Sequence, residues 1–236
     1  EKYDIAGALA GQPVELVKCK TIDCWVPANA EMVIEGEIWP GEMEVESPFG
    51  EFPGTYGGKK RVPVMRVTAI TSRNDAMYHT VLTGFPVTED HLMNWPAMTA
   101  VVYADASRVA PEILAVDVRG NYVYEAIVKM RKRLEKEPWN VITAVLSGQS
   151  QAKYCMVVDE DVNIFDERDL DWAFCTRVQP HRDVHIFPVM VGAPLDPSAP
   201  IVRQTSKMGI DATIPLDADR SEYERVRVPG ADEVTW

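Results

Sequence analysis

Five consecutive residues, Tyr154-Cys155-Met156-Val157-Val158, form an apolar run that stops abruptly at Asp159-Glu160-Asp161. The run is too short for a helix and has no polar alternate positions. It therefore predicts a strand covered on both faces, with its carboxyl end at solvent. Asp166 follows, placed to cap a helix running towards Val178 on Leu170, Ala173, Phe174 and Arg177. A buried strand feeding a helix is the unit of an open α/β sheet, the architecture expected for the second half of the chain.

Helical spacing begins at about Glu89. In Tyr122 to Leu134, the apolar residues Val123, Ala126, Ile127, Met130 and Leu134 recur at helical intervals, with Lys129, Arg131, Lys132 and Arg133 mostly on other faces. This pattern predicts an amphipathic helix closed by Pro138. The residues before Glu89 read differently. Val14 to Lys18 and Val62 to Ile70 alternate, and Met32 to Ile34 is short and rich in β-branched side chains. Pro40-Gly41, Pro53-Gly54 and Gly57-Gly58 supply turns between them. Residues 1–88 are thus expected to form a β-rich barrel or sandwich and residues 89–236 an α/β domain. The last thirty residues, polar and interrupted by proline, are expected to be peripheral.

The chain has 236 residues, 46% of them hydrophobic, which is enough apolar material for a sizeable core. With 36 acidic against 24 basic residues, the net charge is -12. Such a surface repels polyanions, so nucleic acid and anionic membranes are not expected partners. Apolar stretches such as Val141 to Leu146 fall far short of a membrane span, and no signal-peptide pattern opens the sequence, so no integral membrane segment and a cytoplasmic location are expected. Three of the four cysteines, Cys19, Cys24, Cys155 and Cys175, lie within or beside apolar runs, so free, buried thiols are expected, and the first two have neither a second pair nor a nearby histidine to build a zinc site. The sequence enters an amphipathic pattern almost at once, Tyr3 to Leu9, so an upstream segment, either removed or lying on another chain, is expected.

Glu46 and Glu51 lie five apart across Ser-Pro-Phe-Gly, where Pro48 fixes one φ and Gly50 permits an unusual one. A turn there could bring both carboxylates to one site. Two such groups in a poorly hydrated pocket separate in pKa, and the neutral one can donate a proton. The plainer alternative is two exposed glutamates in a tract that also holds Glu35, Glu37, Glu42 and Glu44.

Three stretches carry a family resemblance. The first is Val26-Pro27-Ala28-Asn29-Ala30-Glu31-Met32-Val33-Ile34-Glu35-Gly36, followed by Glu46-Ser47-Pro48-Phe49-Gly50-Glu51-Phe52-Pro53-Gly54. The second runs from Val157-Val158-Asp159-Glu160-Asp161-Val162 to Trp172-Ala173-Phe174 and Thr176-Arg177. The third is Ser206-Lys207-Met208-Gly209-Ile210-Asp211-Ala212-Thr213. In order and spacing they resemble the carboxy-terminal portion of the UbiD family of decarboxylases.

The resemblance implies a fold: part of a split β-barrel that binds flavin, then an α/β domain with an open sheet. It implies a chemistry: decarboxylation, or its reverse, of an aromatic or α,β-unsaturated carboxylic acid on prenylated FMN, a cofactor supplied by a flavin prenyltransferase. Glu46 and Glu51 take the two glutamate positions of the family's Glu-Arg-Glu set. Glu51 would protonate the carbon, kept neutral by apolar neighbours such as Phe49 and Phe52, and Glu46 would stay ionised against the arginine. That arginine, and the asparagine and histidine of the phosphate-metal site, are expected upstream of Glu1. The remaining ligand for the divalent metal, Mn or Mg, with K+ as an additional ion, falls at Lys2 by register. Either Glu1 serves through a small shift or the ligand is lost. The stretches Gly84 to Asn94 and Gly192-Ala193-Pro194-Leu195 match walls of the substrate pocket, so His91, Asn94 and Ala193 are its candidates. A small Ala193 leaves room for a bulky aromatic acid. His79, His181 and His185 read as structural, Asp159-Glu160-Asp161 as caps and surface charges, and Lys207 to Asp211 as packing or subunit contact. A homo-oligomer is expected. The competing reading is a non-catalytic subunit or assembly module that retains the fold.

Overall fold

A computed structural model describes residues 2–119, 124–226 and 228–230. The chain divides into two compact units, one of residues 1–49 and 56–81, the other of residues 50–55 and 82–236.

The first unit opens with helix α1 (Lys2–Ala10) and a small antiparallel pair, β1 (Leu16–Lys18) and β2 (Trp25–Pro27). Its main feature is a long antiparallel ribbon of β3 (Met32–Glu46) and β4 (Lys60–Ser72). Pro40-Gly41 does not turn the chain, as expected, but sits inside β3 at a register shift between Ile38 and Met43. A proline without an N–H and a glycine at φ +82° are what a bulge accommodates. The other shift is at Gly36, where a Cβ would lie 2.6 Å from the Arg66 carbonyl oxygen. Beside it the buried Glu35 carboxylate accepts from the backbone N–H of Lys20 at 2.8 Å and of Thr21 at 2.6 Å. Those donors hold its pKa below the ordinary value, the Lys20 N–H contributing most. The described strands of this unit pair only two by two and close no barrel.

The second unit is built on a five-stranded open sheet. In chain order its elements are α2 (Glu89–Ser107), β5 (Ile113–Arg119), β6 (Glu125–Met130), α3 (Glu137–Ser147), β7 (Tyr154–Val158), α4 (Glu167–Arg177), α5 (Pro180–Asp183), β8 (Val184–Val191) and β9 (Gln204–Ala212). The strand order is β5-β6-β7-β9-β8, parallel for β6-β7 and β7-β9 and antiparallel at both edges. Helices α2 and α3 cover one face through Val102, Ala106, Val141, Ile142 and Val145. Helix α4 covers the other through Leu170 and Ala173. The strand expected at Tyr154 to Val158 and the Asp166 cap are both present, the carboxylate of Asp166 accepting from the Arg168 N–H at 2.9 Å.

The helix expected over Tyr122 to Leu134 is a correction. Residues 120–123 lie outside the described residues, and Glu125 to Met130 form the strand β6. Ala126, Val128 and Met130 pack under α2 and α3, and Ile127 packs on the α4 side. A strand buried on both faces has apolar residues at every position, so it also satisfies three- and four-residue spacing. Ile127, Val128 and Met130 are wholly buried, each contributing about 2 kcal/mol. Pro138 begins α3 rather than ending a helix.

Candidate functional site

Glu51 lies in a turn that closes on itself. Its N–H donates to the Thr55 carbonyl at 2.9 Å, and its own carbonyl accepts from the Gly54 N–H at 3.0 Å. Gly54, at φ +79°, takes the left-handed conformation that favours glycine. Glu51 and Phe52 are half-buried, whereas Phe49 is 64% exposed and gives no apolar cover. Glu46 ends β3 in the first unit, exposed and in register with Lys60; Glu51 belongs to the second.

His91 stands at the third position of α2, after the extended N-cap Thr88 and the acids Glu89 and Asp90, which suit the positive end of the helix. The Thr88 backbone N–H donates to His91 Nδ1 at 3.1 Å. Nδ1 is then the acceptor, so the tautomer that satisfies the network carries its proton on Nε2, which donates to the Phe52 carbonyl at 2.7 Å. Asn94, one turn on and exposed, donates from Nδ2 to the Asp90 carbonyl at 2.9 Å and to Asp90 Oδ1 at 3.0 Å.

Phe52, Asp90, His91, Asn94, Met98, Ser150 and Gln151 line a cavity of about 250 Å³. Two of the expected pocket residues, His91 and Asn94, are therefore brought together. Ala193 is not among the residues lining this cavity; it is buried in the turn after β8. Its neighbour Gly192 shares a second cavity of about 550 Å³ with Gln151, so Gln151 faces both. Gln151 has φ +60°, a strained backbone for a side chain of this kind, which is a feature that clusters at functional sites. Neither Gln151 nor Ser150 was visible as a site residue in the sequence, because a left-handed glutamine leaves no pattern.

Tyr124 flanks this region. Its ring meets Phe52 edge-on with centroids 5.9 Å apart. Burial, with Asp196 adding a smaller repulsion, pushes its phenol up to about 12, so it is neutral at ordinary pH. The Ala193 turn is ordered by Asp196, which accepts from Lys153 Nζ at 2.8 Å, Ser198 Oγ at 2.7 Å and Thr205 Oγ1 at 3.0 Å.

The Asp159-Glu160-Asp161 triplet is taken up by arginines. Arg177 donates to Asp159 at 3.1 Å and to Asp161 at 2.6 Å, and Arg131 to Glu160 at 2.6 Å. The tail joins this network, with Arg220 3.8 Å from Asp159 and Arg225 paired with Asp169. Among the described residues no cluster of three or more potential metal ligands forms; Glu1 lies outside them, and Lys2 is an exposed residue at the start of α1. The first cavity is also below the usual range for ligand pockets, which starts at about 300 Å³. A cavity of that size suits a small ligand. His185 rests edge-on against Trp139 at 4.2 Å, and His79 and His181 are exposed. Lys207 is buried, and its Nζ donates to the Leu146 carbonyl at 2.6 Å, in the last turn of α3.

Residues 1–86 match the 3-octaprenyl-4-hydroxybenzoate carboxy-lyase Rift-related domain, and residues 91–212 match the C-terminal domain of the same carboxy-lyases. Among curated proteins, the phenolic acid decarboxylase of Bacillus subtilis is 36% identical over 229 residues, 95% of this chain and 48% of the relative. An uncharacterized protein of Archaeoglobus fulgidus is 36% identical over 216 residues, 90% of this chain and 45% of the relative. The chain thus spans about half the length of the curated relatives it matches. Among solved structures, the UbiD-class enzyme HmfF from Pelotomaculum thermopropionicum, in complex with FMN, superposes with a TM-score of 0.83 at 42% identity, over 100% of this chain and 53% of that one. Vanillic acid decarboxylase of Sedimentibacter hydroxybenzoicus gives 0.81 at 33% identity, over 98% and 51%.

Proposed function

The chain belongs to the UbiD family, and from that premise we propose that it forms part of a carboxy-lyase acting on aromatic or α,β-unsaturated carboxylic acids, with Glu51 as the general acid. The observation that carries this reading is the placement of Glu51 in a self-closed turn whose next residue, Phe52, lines the cavity shared by His91 and Asn94.

The similar HmfF structures hold FMN and, in a second case, prenylated FMN. In the complete protein the same prenylated flavin, made by a flavin prenyltransferase, would, when bound, supply the electron sink for the pair released as carbon dioxide leaves. A divalent metal, Mn or Mg, with K+, belongs to that complete site, as does a homo-oligomeric assembly. What this chain contributes is the proton and part of the substrate's surroundings. When the bond between the substrate carbon and its carboxylate breaks, carbon dioxide leaves and the bonding pair remains with the substrate, where it must be stabilised until that carbon is protonated. Glu51 gives that carbon its proton and is reprotonated from solvent. Glu46 is assigned the role of the ionised partner of an arginine. Asn94, Gln151 and the small Ala193 would then select among acids by hydrogen bonding and by space.

The test is carbon dioxide release by the complete protein, co-expressed with a flavin prenyltransferase, from a panel of hydroxylated, methoxylated and heteroaromatic carboxylic acids and of acrylic acids. Turnover of at least one acid of the panel is expected. A flavin-loaded protein that releases none from the whole panel would favour the non-catalytic module instead.

A further inference from the structure

Phe52, the residue that follows Glu51, is held from two sides. His91 Nε2 donates to its carbonyl at 2.7 Å, and the Tyr124 ring meets its side chain at 5.9 Å. His91 itself is 5% exposed and fixed at its other nitrogen by the Thr88 N–H at 3.1 Å. The bond to Phe52 spans 39 residues and ties the Glu51 turn to the start of α2.

We infer that His91, with Tyr124 on the ring side, is a positioning residue for Glu51: it fixes the acid's turn through the Phe52 carbonyl instead of contacting the variable part of a substrate. The inference rests on Glu51 being the proton donor. A donor must lie within hydrogen-bond reach of the carbon it protonates, and a displacement of about 1 Å can cost on the order of a hundredfold in rate. Main-chain anchoring suits this task, because it sets the turn without depending on which acid is bound. The geometry also accounts for a histidine at this position. Its two nitrogens, on opposite sides of a rigid ring, can accept from one backbone and donate to another at once.

The experiment compares His91→Leu and His91→Gln in the complete holoenzyme, with Glu51→Gln alongside. In His91→Leu, kcat is expected to fall about ten- to a hundredfold. KM should stay within threefold across differently substituted acids, and flavin content should be unchanged. A rise in the solvent deuterium isotope effect on kcat should accompany the loss, since proton delivery becomes slower. His91→Gln, whose amide can donate to the Phe52 carbonyl, should recover kcat to within about threefold of wild type. Should His91→Leu not fold, Tyr124→Leu loosens the same residue from its ring side and is expected to show the same fall in kcat at constant KM. The inference is overturned if the folded Leu variant keeps kcat within twofold, or if the loss lies in KM and varies with the substrate's substituents. An active Glu51→Gln enzyme would remove the acid reading instead, which separates the two failures.

Discussion

The Nζ of Lys153 lies 2.8 Å from Oδ2 of the buried Asp196, a part-buried ion pair that ties the residue before β7 to the turn carrying Ala193. Burial works to raise the Asp196 pKa, but the bonds from Lys153, Ser198 and Thr205 outweigh it and hold the carboxyl down to about 2. The folded value is thus depressed below the unfolded one. Its contribution is present above about pH 4 and is lost as pH falls through about 2, roughly 2 kcal/mol in all. Urea unfolding of wild type and Asp196→Asn between pH 5 and pH 2 should show the stability difference shrinking towards zero. A difference independent of pH would contradict this assignment.

Arg177 satisfies two carboxylates at once, and its side chain is fully buried together with that of Asp159, at 0% and 3% exposure. Burial raises the Asp159 pKa despite the arginine, which marks how strongly this site depends on its counter-charge. Replacing Arg177 by Met leaves an uncompensated carboxylate and should cost about 3 to 5 kcal/mol in denaturant titration. A loss below about 1 kcal/mol would show that the network is not structural.

Gly209 lies where β9 passes under α3, and a Cβ there would come within 2.3 Å of Ile142 Cγ2. Gly209→Ala should therefore destabilise by about 1 to 3 kcal/mol through overpacking. A neutral substitution would argue against packing as the reason for the Lys207-Met208-Gly209 segment.

The expectation of buried thiols holds for Cys155 and fails for Cys24 and Cys175, so the cysteines should react unequally. Cys24 and Cys175 are exposed, whereas burial pushes the Cys155 thiol up to about 12. Brief treatment with a maleimide, read by mass spectrometry, should label Cys24 and Cys175 and leave Cys155 unmodified until denaturant is added. Labelling of Cys155 in the folded protein would contradict its place in the core.

The α/β sheet was legible because burial on both faces writes itself as an unbroken apolar run, as at Tyr154 to Val158. The same property misled at Ala126 to Met130, where lysine and arginine beyond the strand imitated the polar face of a helix. The bulge at Pro40-Gly41 escaped because the dipeptide that turns a chain also interrupts a ladder. At the candidate site, side-chain identity pointed to Glu51, His91 and Asn94. What His91 does could not be read that way, since its partners are a carbonyl and an amide of the main chain, which every residue carries. Gln151 was hidden for a related reason: only a folded loop reveals a left-handed φ.

The central claim is that Glu51 gives the proton that replaces the departing carboxyl group. It is tested most directly by Glu51→Gln in the complete, flavin-loaded protein, measured as carbon dioxide release from an acid that the wild type turns over. The account predicts a loss of at least about a hundredfold in kcat, with flavin content preserved. Turnover within a few-fold of wild type would contradict it.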